Sequence, residues 1–378
     1  MIIIINKPEE LVRVLKNVVG VSEVNQTMPV LSNVLIEADI NGLHFTGTDL
    51  EVQIKNTYPL ARTEDGVKTT LPAKKLLDIV QALSNHKEIT FDIEDQKTTI
   101  SAGKSELVLP SLPANDFPVM QTQTTEDKAI SKIKAGELLT SLSETSFCMA
   151  YQDARHFLNG LFFEKKNNET VFVSTDGHRL ALSKCPGEHA EANPNNCIIP
   201  RKCVMELKRI LATFKDISQK LIEFSYDNKQ IHFNVEGHDI TSKLIEGSFP
   251  DYNKVFPEEL PNKLLVEKNE FKQHLSVMSQ VANEKYKGVK LTITANELLL
   301  TSTKNIEQNQ GKGKTSIACE YTGENLEIGF NLSYLLETID VISTDNVLIQ
   351  IKNSEGGCLI SSTDETPKNK YVIMPMRV

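Results

Sequence analysis

Pro8-Glu9-Glu10-Leu11-Val12-Arg13-Val14-Leu15 returns, loosely rewritten, as Ala135-Gly136-Glu137-Leu138-Leu139-Thr140-Ser141-Leu142 and again as Lys268-Asn269-Glu270-Phe271-Lys272-Gln273-His274-Leu275. The aligned glutamates at 10, 137 and 270 lie 127 and 133 positions apart, about a third of the 378-residue chain. On the first copy Leu11, Val14, Leu15 and Val18 form an apolar stripe, which leaves Arg13 and Lys16 to point away from the core. A period of this length dictates architecture before any single motif does.

Two further markers recur in the same order. A strand runs into Thr-rich polar residues at Leu43-His44-Phe45-Thr46-Gly47-Thr48-Asp49, at Val171-Phe172-Val173-Ser174-Thr175-Asp176 and at Leu299-Leu300-Thr301-Ser302-Thr303. A strand then leads into a helix at Thr70-Leu71-Pro72-Ala73, at Ile198-Ile199-Pro200-Arg201 and at Ile328-Gly329-Phe330-Asn331-Leu332-Ser333, where Pro and Asn-x-Ser are good helix starts. Short β-rich segments such as Glu88–Ile93 and Ile231–Val235 end in turn residues. Each third therefore reads as an α+β unit of two amphipathic helices and about eight strands, helices on one face of the sheets. The pattern lapses in the polar stretches Gln121–Asp127 and Pro257–Asn262, which sets domains at 1–124, 125–256 and 257–378.

Composition narrows the function. A net charge of −9 and a pI near 5.5 argue against a protein that coats itself in phosphate contacts, so any basic surface is local. Six cysteines (Cys148, Cys185, Cys197, Cys203, Cys319, Cys358) show no CxxC pairs and no histidines at ligand spacing, as in a reduced cytosolic chain that needs no metal or other cofactor. The apolar start Met1–Ile5 is too short for a signal peptide, and no stretch approaches the roughly 20 apolar residues of a membrane span. Trp is absent and aromatics are 6%, so base stacking is not a theme.

Met28-Pro29-Val30-Leu31-Ser32-Asn33, Thr46-Gly47-Thr48-Asp49-Leu50-Glu51, Phe157-Leu158-Asn159-Gly160, Ser174-Thr175-Asp176-Gly177-His178-Arg179-Leu180-Ala181, Ile199-Pro200-Arg201-Lys202, Ser248-Phe249-Pro250-Asp251-Tyr252 and Tyr371-Val372-Ile373-Met374-Pro375-Met376-Arg377 span the chain in order. Together they resemble the bacterial DNA polymerase III beta subunits, the beta sliding clamps. The resemblance implies three topologically similar DNA-clamp domains per chain, each two helices packed on two β-sheets, and two chains closed head to tail into a homodimeric ring. Size agrees with that count. A domain of about 126 residues is roughly 35 Å across, and six in a ring leave a hole about as wide, whereas four leave about 15 Å, too little for B-DNA.

The resemblance further implies a non-enzymatic processivity factor that encircles double-stranded DNA without reading its sequence. Its helices would line the hole with Arg13, Lys16, Lys74, Lys75, Lys132, Lys134, Arg201, Lys202, Lys208 and Arg209. Positions matching the family's DNA contacts are Asn25, Lys74, Gln152, His156 and Phe157, with Asn25 and His156 standing where the family carries arginine and tyrosine. A cleft for the polymerase III alpha subunit, the clamp loader and other proteins with a clamp-binding motif would comprise Leu158, Thr175, Gly177, His178, Arg179, Leu180, Pro250, Val255 and the tail Val372, Ile373, Met374, Pro375, Met376, Arg377 and Val378. Flexible Met374 and Met376 suit varied Leu and Phe anchors, and His178 and Arg179 could bond the partner at the rim. The dimer seam would bring Leu107 and Leu109 of an edge strand against Gln280 and Val281, with Gln280 polar where the family is aliphatic.

Two rival readings exist. A hydrolase built on Thr175, Asp176 and His178 would need neighbours on one extended segment to converge, although alternate strand side chains point to opposite faces. The matching Thr48-Asp49 has no His, and Gly311-Lys312-Gly313-Lys314 lacks P-loop spacing. The other rival, a three-domain scaffold that never meets DNA, differs in lacking topological retention on a circle.

Overall fold

The computed structural model describes residues 1–22, 28–60, 66–121, 129–281, 287–302 and 312–377. Asn25, Thr303, Gly311, Val378 and most of the first linker lie outside them. The first third runs β1 (Ile2–Ile5), α1 (Pro8–Val19), β2 (Asn33–Asp39), β3 (Gly42–Thr48), β4 (Val52–Tyr58), β5 (Val67–Pro72), α2 (Ala73–Leu83), β6 (Ile89–Ile93), β7 (Lys97–Ala102) and β8 (Ser105–Pro110). The second repeats that order as β9 (Ser131–Lys134), α3 (Ala135–Thr145), β10 (Gly160–Lys166), β11 (Glu169–Thr175), β12 (Arg179–Pro186), β13 (Asn196–Pro200), α4 (Arg201–Leu211), β14 (Leu221–Tyr226), β15 (Gln230–Val235) and β16 (His238–Lys243). The last adds one short strand: β17 (Asn262–Glu267), α5 (Lys268–Ser279), β18 (Gly288–Ile293), β19 (Glu297–Ser302), β20 (Lys314–Ala318), β21 (Glu320–Thr322), β22 (Leu326–Asn331), α6 (Leu332–Val341), β23 (Asn346–Ile351), β24 (Cys358–Ser362) and β25 (Asn369–Ile373).

Helices begin where the repeat places them. In α1, Pro8 pre-sets the first turn, Glu9 and Glu10 face the positive end of the dipole and Lys16 the negative end. Leu11, Val14, Leu15 and Val18 are buried while Arg13 and Lys16 are exposed. Asn331 caps α6 by accepting from Ser333 N at 2.9 Å, and Glu267 caps α5 by accepting from Asn269 N at 3.0 Å and Glu270 N at 2.6 Å. Lys132 and Lys134, expected on a helix, lie instead on β9, where β pairing with β14 sets Lys132 against Glu223 at 3.1 Å.

Each third contributes to two sheets, but the described strands form four sheets in all, because neighbouring thirds share. One eight-stranded sheet, β5-β2-β3-β4-β16-β15-β14-β9, fuses the first and second thirds through β4 and β16. A nine-stranded sheet, β13-β10-β11-β12-β25-β24-β23-β17-β21, fuses the second and third through β12 and β25. The compact units of the chain consequently cut across the thirds. One comprises residues 1–135, 188–194 and 202–244, the other 136–187, 195–201 and 245–378. No helix among the described residues is long and apolar enough to cross a membrane.

The β4–β16 junction carries a buried histidine. His238, in register with Asn56, points Nδ1 at the carbonyls of Val235 (2.9 Å) and Glu236 (3.3 Å), so that nitrogen carries the proton. Its Nε2 then accepts from the amides of Asn17 on α1 (2.7 Å) and Asn56 on β4 (2.8 Å). Neither amide turns over freely, since Asn17 Oδ1 accepts from Arg209 and Asn56 Oδ1 from Thr57 N. Burial lowers the His238 pKa below its ordinary 6.5, helped by the Arg209 charge and opposed by the Val235 and Glu236 carbonyls and Asp239. A base held low in the folded state stabilises the fold when neutral. That stability is complete above about pH 6.5 and is lost as the pH falls through that value toward the folded pKa. In a thermal melt, His238→Gln should reduce the loss of melting temperature between about pH 7.5 and about pH 5.5 by roughly 2 °C. An unchanged acid sensitivity would count against this role.

Candidate functional site

The segment Thr175-Asp176-Gly177-His178-Arg179 leaves β11 and enters β12 through a tight turn. Thr175 Oγ1 donates to Arg179 O at 2.6 Å and accepts from Gly177 N at 3.1 Å, while Asp176 Oδ1 accepts from His178 N (2.9 Å) and Arg179 N (3.1 Å). The same wiring occurs 127 positions earlier. Thr48 Oγ1 donates to Val52 O and accepts from Leu50 N, and Asp49 Oδ1 accepts from Glu51 N and Val52 N. Gly177 and Leu50 both take positive φ, 90° and 76°. Thr and Asp are thus turn scaffold at both places, and their oxygens are engaged by backbone rather than aligned with His178 for nucleophilic chemistry.

From this turn β12 pairs antiparallel with the tail strand β25, Arg179 opposite Ile373 and Leu180 opposite Val372, and Met374 N donates to His178 O at 2.9 Å. Strand alternation then sorts the tail. Leu180 and Val372 lie in an apolar cluster with Phe162, Val171, Val173, Leu182, Ile198 and Tyr252, flanked by Phe157, Phe249 and Phe256. Ile373 faces the other way, into the core of the last third, and is fully buried, so the expectation that it lines a cleft fails. Leu158 is also buried. Exposed apolar side chains at the edge of the cluster are Val255 and Met374, 40% and 44% exposed, with Pro250, Gly177, His178 and Arg377 exposed beside Thr175, Pro375 and Met376 at intermediate depth. Beyond Met374 the tail turns to bridge β22, Met376 N donating to Gly329 O.

Arg179, expected at the rim as a donor to a partner, is pinned instead. Its Nε meets Asp176 Oδ2 at 3.0 Å, Nη2 donates to Phe147 O at 2.8 Å, Nη1 pairs with Glu337, and the guanidinium lies 4.2 Å from the Tyr334 ring centroid and 5.3 Å from that of Phe147. Three of its five N–H donors are thereby committed to the fold. Arg155, absent from the sequence expectations, takes a rim position. Asp153 grips it through both oxygens, which drops the Asp153 pKa to about 2, and its Nη2 reaches Asp176 O at 3.3 Å and lies over Gly177. No motif marked it, because an exposed Asp-x-Arg is ordinary surface sequence.

The expected DNA contacts scatter by environment. Lys74 and Lys75 on α2, and Arg13 and Lys16 on α1, are exposed and form no ion pair among the described residues. The two helices pack together. Gln152 and His156 are exposed, Gln152 with φ of 54°. Phe157 belongs to the apolar cluster beside the cleft. Arg201 is held by Met149 O at 3.0 Å near the Tyr151 ring, and Lys202 by Asp49 at 2.5 Å and Val21 O at 3.3 Å. Arg209 is tied to Glu206 and to Asn17 O, and burial lowers the pKa of Lys208. At the other expected interface, β8 is the last strand of its sheet, with Leu107 36% exposed, Val108 54% exposed and Leu109 buried. Gln280 closes α5 and is exposed; Val281 is half-buried.

Family models cover nearly the whole chain. Residues 1–121 match the N-terminal domain of the DNA polymerase III beta subunit, 132–251 its central domain and 253–377 its C-terminal domain. The beta sliding clamp of Pseudomonas putida is 35% identical over 370 residues, 98% of each chain, and that of Escherichia coli 32% over 371 residues, again 98% of each. Crystal structures of sliding clamps from Pseudomonas aeruginosa and Bartonella birtlesii, each bound to griselimycin, superpose over all of both chains with TM-scores of 0.91 and 0.92 at 34% and 30% identity. With three such domains in order and a Thr–Asp turn that serves as scaffold, the chain belongs to the DNA polymerase III beta subunit family of DNA sliding clamps and is not an enzyme.

Proposed function

We propose that two copies of this chain, with domain boundaries at 1–124, 125–256 and 257–378, close head to tail into a six-domain ring around duplex DNA. The observation that carries the reading is the pair of fused sheets. The third strand of one meander joins the last strand of the next third at β4–β16 and again at β12–β25. By the same count β20 and β8 are the strands left over, and each ends a four-stranded sheet. Pairing β8 of one copy with β20 of another repeats the junction, and doing so twice closes a ring. Leu107 and Val108 supply exposed apolar contacts on one side, Leu109 backs them from within, and α5, which runs to Gln280 and Val281, packs on β20 on the other.

Such a ring stays on DNA by enclosure, so its phosphate contacts need only be weak and interchangeable. Lys74, with Arg13, Lys16 and Lys75, is the main source of free positive charge for them. Gln152 and His156 add polar contacts, Asn25 falls outside the described residues, and Arg201 and Lys202 contribute as tethered charges. The cleft beside β12 and β25 takes short segments with apolar anchors from the polymerase III alpha subunit, the clamp loader and other proteins bearing the clamp-binding motif. Val255 and Met374 grip the anchors over the Leu180–Val372 floor, and burying each anchor supplies roughly 1.5–3 kcal/mol. The setting is the bacterial cytoplasm, and no cofactor or membrane takes part.

Native mass spectrometry should give twice the 42.3 kDa chain mass, and protein loaded on a nicked circle by a clamp loader should fall off once the circle is cut. Retention on the cut DNA, or a stable monomer, would favour a scaffold without a ring. On short linear duplex at low salt, Lys16→Ala and Lys74→Ala should each lower the slope of log affinity against log salt by about 0.9, whereas Lys202→Ala, whose charge faces Asp49, should lower it less.

A further inference from the structure

One wall of the cleft is the segment 249–256, which carries Pro250 and Val255, and it belongs to no strand beyond a single 3-10 turn at Tyr252–Val255. Isolated backbone of this kind holds its place only through side chains. Its rings join the wider apolar cluster, but the ring stacking and hydrogen bonds that hold Phe249 and Tyr252 fall on one face of β10. Phe162, Glu164 and Lys166 alternate along that strand and so share a face. The Phe162 ring stacks on Phe249 with centroids 4.7 Å apart and planes at 14°, and meets Tyr252 at 6.1 Å. Tyr252 Oη donates to Glu164 Oε2 at 2.6 Å and accepts from Lys166 Nζ at 2.9 Å, and Lys166 and Glu164 pair at 3.2 Å. The phenol is buried to 6% residue exposure, at the boundary between the apolar cluster and this polar pair.

We infer that Glu164, Lys166 and Tyr252 form a positioning triad that fixes the Pro250–Val255 wall at the width the partner peptide needs, and that the triad sets peptide affinity without touching the peptide. The inference rests on the cleft reading above. Phe162 supplies the non-directional part of the anchorage, since a stacked ring can slide by an ångström at little cost. The hydrogen bonds supply direction, because a charge-assisted O–H···O⁻ bond weakens steeply with distance and angle. Burial and the Glu164 carboxylate both raise the Tyr252 pKa, so the phenol remains a donor throughout the neutral range. Losing the hydroxyl lets the wall relax, and Val255 then no longer meets Met374 across an incoming anchor.

Fluorescence anisotropy with a labelled synthetic peptide carrying adjacent Leu and Phe anchors reads the effect on the full-length protein. Tyr252→Phe keeps the ring and removes only the bonds, and should weaken binding about fivefold while the melting temperature stays close to that of the parent. Glu164→Leu should weaken binding to a similar degree. Glu164→Gln, whose amide oxygen still accepts from the phenol, should restore most of it, a rescue that a general loss of stability or of surface charge would not show. The double variant Tyr252→Phe/Glu164→Leu should bind no worse than either single one. Peptide binding by Tyr252→Phe equal to the parent's would overturn the triad and leave the cleft reading standing. Failure of the parent itself to bind would overturn both.

Discussion

A β-sheet edge exposes a row of unsatisfied N–H and C=O groups, and a small α+β unit has two such edges to dispose of. This chain disposes of four of them by fusion. The edge of β4 is filled by β16 and that of β12 by β25, each through a run of five antiparallel pairs beginning just after a Thr–Asp turn. Everything else follows from that choice. The middle third shares one sheet with each neighbour, the compact units ignore the sequence repeat, and β8 and β20, which match the fused strands by position, are left at the ends of the two four-stranded sheets.

The two filled junctions are built alike but finished differently. At β4–β16 the second pair after the turn is Gln53 opposite Thr241, both buried, and Gln53 Oε1 accepts from Met120 N as the chain leaves the first third. At the matching place in β12–β25 the pair is Leu180 opposite Val372, set in an apolar cluster with Val255 and Met374 exposed at its margin. Polar residues and a crossing main chain seal the first groove. The second is left apolar and uncovered, which is what a short segment with Leu or Phe anchors requires. The charges flanking the turns diverge in step: Asp49 holds Lys202, while Asp176 shares Arg179 with Glu337 and the rings of Tyr334 and Phe147.

The repeat was readable in the sequence because helix starts and Thr–Asp turns depend on local chemistry, so Glu10, Glu137 and Glu270 each sit in a first helical turn and Thr48 and Thr175 each bridge their turn. Sheet fusion was not readable. Which strand lies beside β4 is decided by a partner some 180 positions away, and nothing within β4 names it. The site divided on the same line. Turn and tail residues could be placed from the chain alone, but whether a side chain serves a ligand or the fold depends on what surrounds it. Arg179 became a pin because Glu337 and Tyr334 arrive from α6, Ile373 turned inward by strand alternation, and the Glu164–Lys166 support of Tyr252 is visible only once β10 lies beneath it.

The charge pattern fits a protein that must hold DNA without binding it tightly. In the first third α1 and α2 carry Arg13, Lys16, Lys74 and Lys75 in the open, each attached to the core only through the far side of its helix. In the last third the positions that match Arg13 and Lys16 are Gln273 and Ser276, and the cations that α5 does carry are held internally, Lys272 by Asp340 on α6 and Lys268 by the carbonyl of Ile342. A cation already satisfied by its own protein has little to gain from a phosphate, because it must first give up a partner of comparable strength. Affinity for DNA is therefore kept low by internal pairing as much as by the net charge of −9. That restraint suits a sliding clamp, which has to move along the duplex rather than settle at one place on it.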